Sequence, residues 1–161
     1  MAAEPPVARA AGGTRRIGVL EGPNLNLLGT REPELYGRTT HAELLRELGQ
    51  RAAALDVEIE AFQSNHEGAL VDRLQAWARD PELRGVIVNP AGLGHTSVAL
   101  RDAVLLLACP VVEVHLTNLA RREGFRRRSL LSGAVRGVIS GLGPAGYVAA
   151  LEYLAREAGT V

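Results

Sequence analysis

The chain has 161 residues and a mass of 17.1 kDa, with 18 basic and 18 acidic side chains and a formal net charge of zero. This balance argues against a nucleic-acid partner and against an anionic membrane surface. All 18 basic side chains are arginines, and the absence of lysine excludes both a Schiff-base lysine and a P-loop lysine.

The single cysteine indicates the cellular compartment, and the N-terminal residues indicate where the domain begins. Cys109 can form no internal disulfide, which favours a reducing, cytoplasmic location, and its apolar surroundings indicate a packing role. No apolar run approaches the roughly 18 residues of a membrane span, and the start of the chain lacks the apolar segment of a secretory signal. We predict a disordered tail over residues 1–14 and a single domain over residues 15–161.

Strand-like and helix-like patterns alternate along this domain. Strands are predicted at residues 17–20, 57–62, 85–89, 110–115 and 136–140. The second of these alternates apolar residues with glutamates, which indicates a strand exposed on one side or near a sheet edge. Helices are predicted after capping boxes at Thr40–Glu43 and Ser64–Glu67, after a cap at Thr96 or Ser97, and at residues 144–158.

Five strands interleaved with helices predict a parallel sheet covered on both faces, which is a doubly wound α/β domain. For this chain length we predict a flavodoxin-like sheet with strand order 2-1-3-4-5, because right-handed crossovers limit the alternatives. No internal repeat is present.

The segment Gly22–Gly37 is longer than an ordinary strand-to-helix connection and has glycines at its ends and middle. Such a segment is usually either a lid or disordered; Arg31 and Tyr36 favour a lid, with Tyr36 as its candidate base. A free phenol has a pKa of about 10 and is a poor base at neutral pH, but a guanidinium within about 4–6 Å can lower an acid's pKa by about 1–3 units. Arg31 is spaced to fold back onto Tyr36. The alternative is a tyrosine that only anchors the loop by packing.

Polar residues follow the predicted strands where each strand ends, and ligands of open parallel sheets bind beyond these carboxyl ends. Asn24 follows the first strand, Asn89 ends the third, and Glu113 and His115 end the fourth. Since Glu113 and His115 are two residues apart, both point to one sheet face. His115 is a candidate proton donor or acceptor. A purely structural histidine is the alternative.

The remaining motifs have simpler interpretations. His41 and His66 lie in capping boxes and indicate solvated helix starts, whereas His95 is either a surface residue or a ligand contact. The histidine spacing provides no metal site. The G-x-G-x-x-G run at residues 141–146 lacks the downstream strand and acidic residue of a dinucleotide site and predicts a tight turn. The arginines of Arg121–Arg128 form a mainly solvated face, with one turned inward.

Five motifs can be compared with known families: G-P-N-L-N-L-L-G-T-R-E-P-E-L-Y-G, S-N-H-E-G, N-P-A-G-L-G-H-T-S-V-A-L-R-D-A, E-V-H-L-T-N and R-E-G-F-R-R-R-S. Together they resemble type II 3-dehydroquinate dehydratase over about residues 15–158. The resemblance implies a flavodoxin-like enzyme of the shikimate pathway that converts 3-dehydroquinate to 3-dehydroshikimate through an enolate, without metal or cofactor. It also implies trimers that assemble into a homododecamer.

The resemblance further implies four catalytic roles. Tyr36 matches the base that removes a C2 proton as a phenolate, and Arg31 matches the lid arginine that stabilises this phenolate. His115 matches the acid that protonates the departing C1 hydroxyl. Asn24 matches the residue that holds a water at the developing enolate oxygen.

Substrate-binding roles are implied in the same way. Asn89 and the Leu116–Thr117 segment correspond to the carboxylate cradle, with Leu116 and Thr117 standing where Ile-Ser is commoner. His95 and Arg126 correspond to the groups that bind the ring hydroxyls. Asp102 corresponds to a carboxylate that reaches the site from a neighbouring subunit. The alternative function is a non-enzymatic flavodoxin-like binding or receiver module, although the sequence lacks an acidic cluster after the first strand and a phosphate loop.

Overall fold

The structure is a computed structural model that describes residues 15–159, without the side chain of Pro33. Its described part contains one sheet of five strands: β1 (Arg16–Glu21), β2 (Glu58–Gln63), β3 (Leu83–Asn89), β4 (Val111–His115) and β5 (Gly137–Ser140). All pairings are parallel and the order is β2-β1-β3-β4-β5. The predicted flavodoxin-like doubly wound fold and strand order are therefore confirmed. The disordered tail predicted for residues 1–14 lies outside the described residues.

Five α-helices accompany these strands within the described range, four before β5 and one after it: α1 (Pro33–Tyr36), α2 (His41–Ala54), α3 (Glu67–Trp77), α4 (Val98–Val104) and α5 (Ala145–Gly159). None of the helices between residues 15 and 159 has the length and apolar character needed to cross a membrane. The predicted edge character of the second strand is confirmed, since β2 lies at one end of the sheet.

The helices bury both faces of the sheet in two separate apolar clusters. Ile17 and Val19 of β1 pack with α2 and α5, whereas Leu20 packs with α3 and α4. This alternation follows from the two-residue period of side chains along a strand. On the face that carries Leu20, Gly18 allows α3 to approach the sheet closely. A Cβ at Gly18 would lie 2.8 Å from the indole ring of the buried Trp77, which ends α3.

The helix starts test the predicted caps. The capping box at Thr40 is present, because the Thr40 hydroxyl accepts from the Glu43 N–H and the Glu43 carboxylate accepts from the Thr40 N–H. The prediction of a capping box at Ser64 is wrong. Ser64 Oγ accepts from the N–H of His66 at 3.0 Å, so it forms a turn after β2, and His66 is the N-cap without a side-chain bond. Ser97, one of the two candidates, caps α4.

The segment Gly22–Gly37 folds locally rather than forming an irregular loop throughout. It contains a 3-10 turn at Leu25–Leu27 and the single helical turn of α1, and the Tyr36 side chain packs against the core formed by α2 and α5. At its start the backbones of two connections touch, because a Cβ on Gly22 would lie 2.3 Å from the carbonyl oxygen of Pro90.

The G-x-G-x-x-G run forms the tight turn predicted for it. Gly141 and Gly143 have φ of +90° and +57°, which favour glycine, and their N–H groups donate to the carbonyl oxygens of His115 and Leu116. A Cβ on Gly146 would lie 3.3 Å from side chains of β4 and β5, so α5 packs closely on the sheet.

Candidate active site

A cavity of about 170 Å³ lies beyond the carboxyl ends of β1, β3 and β4. This is the location expected for a ligand site in an open parallel sheet. Nine of the ten residues that the sequence assigned to the site line it: Asn24, Arg31, Tyr36, Asn89, His95, His115, Leu116, Thr117 and Arg126.

The phenol of Tyr36 is flanked by two guanidinium groups. Arg122 Nη1 donates to the Tyr36 hydroxyl at 3.4 Å and to Thr117 Oγ1 at 3.1 Å. Arg31 lies over the ring, with Cζ 5.9 Å from the centroid, while its Nε pairs with Glu32 at 3.2 Å. The hydrogen bond to Tyr36 raises the pKa of Arg122, although partial burial acts to lower it. Since guanidinium groups stay charged in proteins, a negative phenol oxygen formed here would be stabilised.

Arg122 is the site residue that the sequence interpretation missed. The segment Arg121–Arg128 was expected to turn one arginine inward, but both Arg122 and Arg126 line the cavity. Their side chains are 14% and 31% exposed, whereas Arg121, Arg127 and Arg128 are exposed. The guanidinium that contacts the hydroxyl itself therefore comes from the loop after β4 rather than from the segment Gly22–Gly37.

His115 is held by a buried carboxylate, as their spacing predicted. Its Nε2 lies 2.6 Å from Glu113 Oε1, and Ser132 Oγ donates to Glu113 Oε2 at 2.9 Å. Burial acts to raise the pKa of Glu113, but hydrogen bonds from His115, Ser129 and Ser132 outweigh it and hold the pKa below its ordinary value. An ionised carboxylate only accepts, so His115 Nε2 carries the hydrogen and Nδ1 is the nitrogen left for a ligand.

His95 lines the cavity beside His115, which is the position that its ligand-contact alternative requires. The two rings are stacked, with centroids 6.4 Å apart and an interplanar angle of 19°. His95 Nδ1 donates to the carbonyl oxygen of Arg128 at 2.8 Å, which leaves Nε2 for a ligand. Arg126 Nε is buried without a hydrogen-bond partner among residues 15–159, although it lies 3.5 Å from the Glu123 carboxylate.

Asn24, three residues after β1, and Asn89, the last residue of β3, both form hydrogen bonds with neighbouring residues. Asn24 has φ of 70°, and its N–H donates to Asn65 Oδ1 at 2.9 Å. Asn89 Oδ1 accepts from the N–H of Ala91 at 3.2 Å, and Asn89 Nδ2 donates to the hydroxyl of Tyr147 at 2.8 Å. The amide orientation of Asn89 is therefore set by bonds on both of its ends.

Asp102 is the one predicted site residue that does not line this cavity. It lies on α4 with a side chain 66% exposed, 3.7 Å from Arg101. A role in the site of a neighbouring subunit stays a prediction. No cluster of three or more His, Cys, Asp or Glu side chains that could hold a metal ion occurs in the part of the chain that the structure describes.

The interpretation of His41 as a solvated helix start is wrong. His41 is the first residue of α2, as predicted. Its side chain, however, is only 20% exposed. His41 Nε2 lies 2.5 Å from Oε2 of Glu21, which is completely buried at the end of β1. This hydrogen bond raises the pKa of His41, although burial acts to lower it.

Comparison with known proteins gives one consistent result. The sequence profile of the family described as "Dehydroquinase class II" matches residues 15–155. The chain is 54% identical over 157 residues to 3-dehydroquinate dehydratase 1 of Ralstonia nicotianae, with 98% of each chain covered. It is 51% identical over 139 residues to the catabolic 3-dehydroquinase of Pyricularia oryzae, covering 86% of this chain and 88% of that one.

A solved structure agrees with these sequence matches. The type II dehydroquinase from Propionibacterium acnes superposes with a TM-score of 0.85 at 40% sequence identity, covering 91% of this chain and 99% of that chain. The similarity therefore extends over the sheet, its helices and the segments that form the cavity.

Proposed function

The chain belongs to the class II dehydroquinase family, and we propose that Tyr36 and His115 are the proton-transfer groups of its reaction. That reaction is the dehydration of 3-dehydroquinate to 3-dehydroshikimate, a step of the shikimate pathway. Family membership favours this enzyme over the alternative of a non-enzymatic flavodoxin-like binding or receiver module.

In the first step the phenolate of Tyr36 removes a proton from C2, and the electron pair of the broken C–H bond forms an enolate with the C3 carbonyl. The positive charges of Arg122 and Arg31 stabilise the phenolate that must form beforehand. Asn24 holds a water at the enolate oxygen, where negative charge develops. The segment Gly22–Gly37 acts as a lid that excludes bulk water from these groups.

In the second step the enolate collapses and the C3 carbonyl re-forms. The C1–C2 double bond forms as the C1–oxygen bond breaks, and His115 donates the proton with which the hydroxyl leaves as water. Because Nε2 of His115 faces Glu113, the donated proton is carried on Nδ1. The ionised Glu113 balances the charge of the imidazolium that this step requires.

The other cavity residues bind the substrate. Asn89 and the Leu116–Thr117 segment hold its carboxylate, and His95 and Arg126 bind its ring hydroxyls. The buried Nε of Arg126, which has no hydrogen-bond partner in the described part of the chain, supports this role. No cofactor takes part in the proposed steps.

One observation carries the proposal: Tyr36 with an arginine at its hydroxyl, and His115 with a buried carboxylate behind it, line the same cavity. Conversion of the substrate to a conjugated enone raises its ultraviolet absorbance, which gives a direct assay. We expect Tyr36→Phe and His115→Ala each to lower kcat by about 10²–10⁴-fold, with unchanged circular dichroism. Tyr153→Phe, on α5, is the matched control and keeps full activity. A Tyr36→Phe variant with wild-type kcat would refute the mechanism.

We further propose that residues 15–161 form a single catalytic domain that acts in the cytoplasm and assembles as trimers stacked into a homododecamer, with Asp102 reaching a neighbouring site. The exposed position of Asp102 on α4 supports this arrangement. Light scattering measures the assembled mass. A fully active monomer would contradict the proposed role of Asp102.

A further inference from the structure

A chain of hydrogen-bonded polar side chains, three of them buried, leads away from the cavity and plays no part in the proton transfers. Glu21 ends β1 directly opposite Asn89 in β3, and both are buried. Glu21 Oε1 accepts from the hydroxyl of Tyr147 at 2.9 Å, and the same hydroxyl oxygen accepts from Asn89 Nδ2 at 2.8 Å. His41 closes the chain at Glu21 Oε2. Of these four residues only Asn89 lines the cavity.

Such a chain is costly to place in a core. Glu21 and Tyr147 are both 0% exposed, and burying a polar group without a hydrogen-bond partner destabilises the folded state. Burial raises the pKa of Tyr147 well above its ordinary value, and the charge of Glu21 acts in the same direction. The phenol therefore keeps its hydrogen and remains a donor to Glu21.

The direction of these hydrogen bonds fixes the amide of Asn89. Because Glu21 Oε1 takes the hydroxyl hydrogen of Tyr147, the hydroxyl oxygen can only accept from Asn89. It therefore selects Nδ2 rather than Oδ1 on its side of Asn89, and Oδ1 remains for the N–H of Ala91. Nδ2 has a second hydrogen, and this one is left for the cavity.

We propose that Tyr147 and Glu21 are positioning residues, which hold the Asn89 amide so that an N–H rather than its oxygen faces the substrate carboxylate. Without Glu21, the Tyr147 hydroxyl is free to donate to Asn89 Oδ1, and a reversed amide would repel a carboxylate. This inference rests on the proposed contact between Asn89 and the substrate carboxylate. It extends the substrate-binding machinery to two side chains that never touch the substrate.

The test separates binding from chemistry. In Tyr147→Phe the Asn89 amide is no longer held, and its hydrogen bond to the charged substrate carboxylate is lost. We therefore expect KM for 3-dehydroquinate to rise by roughly ten- to a hundredfold. The value of kcat stays within about threefold because Tyr36 and His115 are untouched. Tyr153→Phe makes the same substitution on the same helix outside the network and leaves both constants unchanged. A KM unchanged in Tyr147→Phe, or a loss confined to kcat, overturns the proposal.

Variants of Glu21 test the polarity argument. Glu21→Gln keeps an oxygen that can accept from Tyr147 and retains a KM close to that of the wild type, whereas Glu21→Leu removes the acceptor and raises KM as Tyr147→Phe does. Equal KM increases in Glu21→Gln and Glu21→Leu overturn the argument. If circular dichroism shows that Glu21→Leu is unfolded, Tyr147→Phe and Glu21→Gln decide the matter together.

A double-variant comparison shows whether the effect passes through Asn89. In an Asn89→Ala background, Tyr147→Phe has no further effect on KM, since the amide that it positions is gone. A further increase in this background overturns the inference. If Asn89→Ala alone leaves KM unchanged, the failure lies in the proposed carboxylate contact, and a wild-type protein without dehydratase activity would refute the proposed function itself.

Discussion

Gly22 is the point at which an added methyl group should disturb both the fold and the site. In Gly22→Ala the new Cβ would lie 2.3 Å from the carbonyl oxygen and 2.7 Å from the carbonyl carbon of Pro90. Ordinary carbon–oxygen contacts are about 3.3–3.6 Å, so the two backbone segments must separate by about 1 Å. Neither segment can rotate away as a side chain could. Since Pro90 is flanked by Asn89 and Ala91, which line the cavity, the displacement reaches the site.

We expect Gly22→Ala to lower the free energy of unfolding by about 1–3 kcal/mol, the usual cost of overpacking. We also expect a loss of about a hundredfold in kcat/KM, which a misplacement of this size can cause. Urea unfolding followed by circular dichroism and the enone assay measure the two effects.

Gly49→Ala is the matched control for this substitution. No atom would lie within 4 Å of its Cβ, and in the interior of α2 alanine should stabilise the protein by roughly 0.5–1 kcal/mol. A Gly22→Ala variant with wild-type stability and wild-type kcat/KM would show that the contact with Pro90 is not tight.

Three further predictions concern charge and ionisation. Arg122→Gln should lower kcat/KM by roughly 10–100-fold, because a hydrogen bond to a charged group is worth about 1.5–3 kcal/mol, while the exposed Arg121→Gln has no effect; equal effects would contradict the role of Arg122. The hydrogen bond to Glu21 raises the pKa of His41, so the protonated His41 side chain stabilises the folded state. This stabilisation is fully present below pH 6.5, the ordinary pKa of histidine, and is lost as the pH rises through the pKa of the folded state. The unfolding free energy should therefore fall above pH 6.5 relative to His41→Asn, and parallel pH profiles of the two proteins would argue against the linkage. Burial raises the pKa of Cys109 to about 11, so a thiol-alkylating reagent should react slowly with the native protein at neutral pH and promptly after unfolding; immediate native reaction would count against this.

The sheet was predictable from sequence because its strands and helices have different hydrophobic periods, and chirality rules then restrict the order. Local signals were less decisive. Ser64 and Glu67 have the spacing of a capping box, yet the chain leaving β2 turns at Ser64 and starts α3 only at Glu67. The same motif at Thr40 is a true cap because Thr40 is itself the N-cap residue and Glu43 is the third residue of α2. Sequence spacing alone does not distinguish the two cases.

The location of the site was also predictable, since Asn24, Asn89 and His115 follow strands whose carboxyl ends meet at one edge. The identity of the inward-facing arginines was not. Five arginines lie within Arg121–Arg128, each equally suited to solvent, and only the path of the loop decides which reach the cavity. His41 failed for a similar reason: its partner Glu21 is 20 residues earlier, and only the docking of α2 on β1 brings them together.

The two apolar clusters also divide the aromatic chromophores of the protein. Trp77 is the only tryptophan in the sequence and belongs to the cluster formed with α3 and α4 on one face of the sheet. All three tyrosines, Tyr36, Tyr147 and Tyr153, belong to the cluster on the other face. Resonance energy transfer from tyrosine to tryptophan must therefore cross the sheet. Its efficiency reports whether both helical layers remain docked, and tryptophan emission excited alone reports only one layer. The native protein thus contains an unmodified optical reporter that distinguishes loss of one layer from complete unfolding.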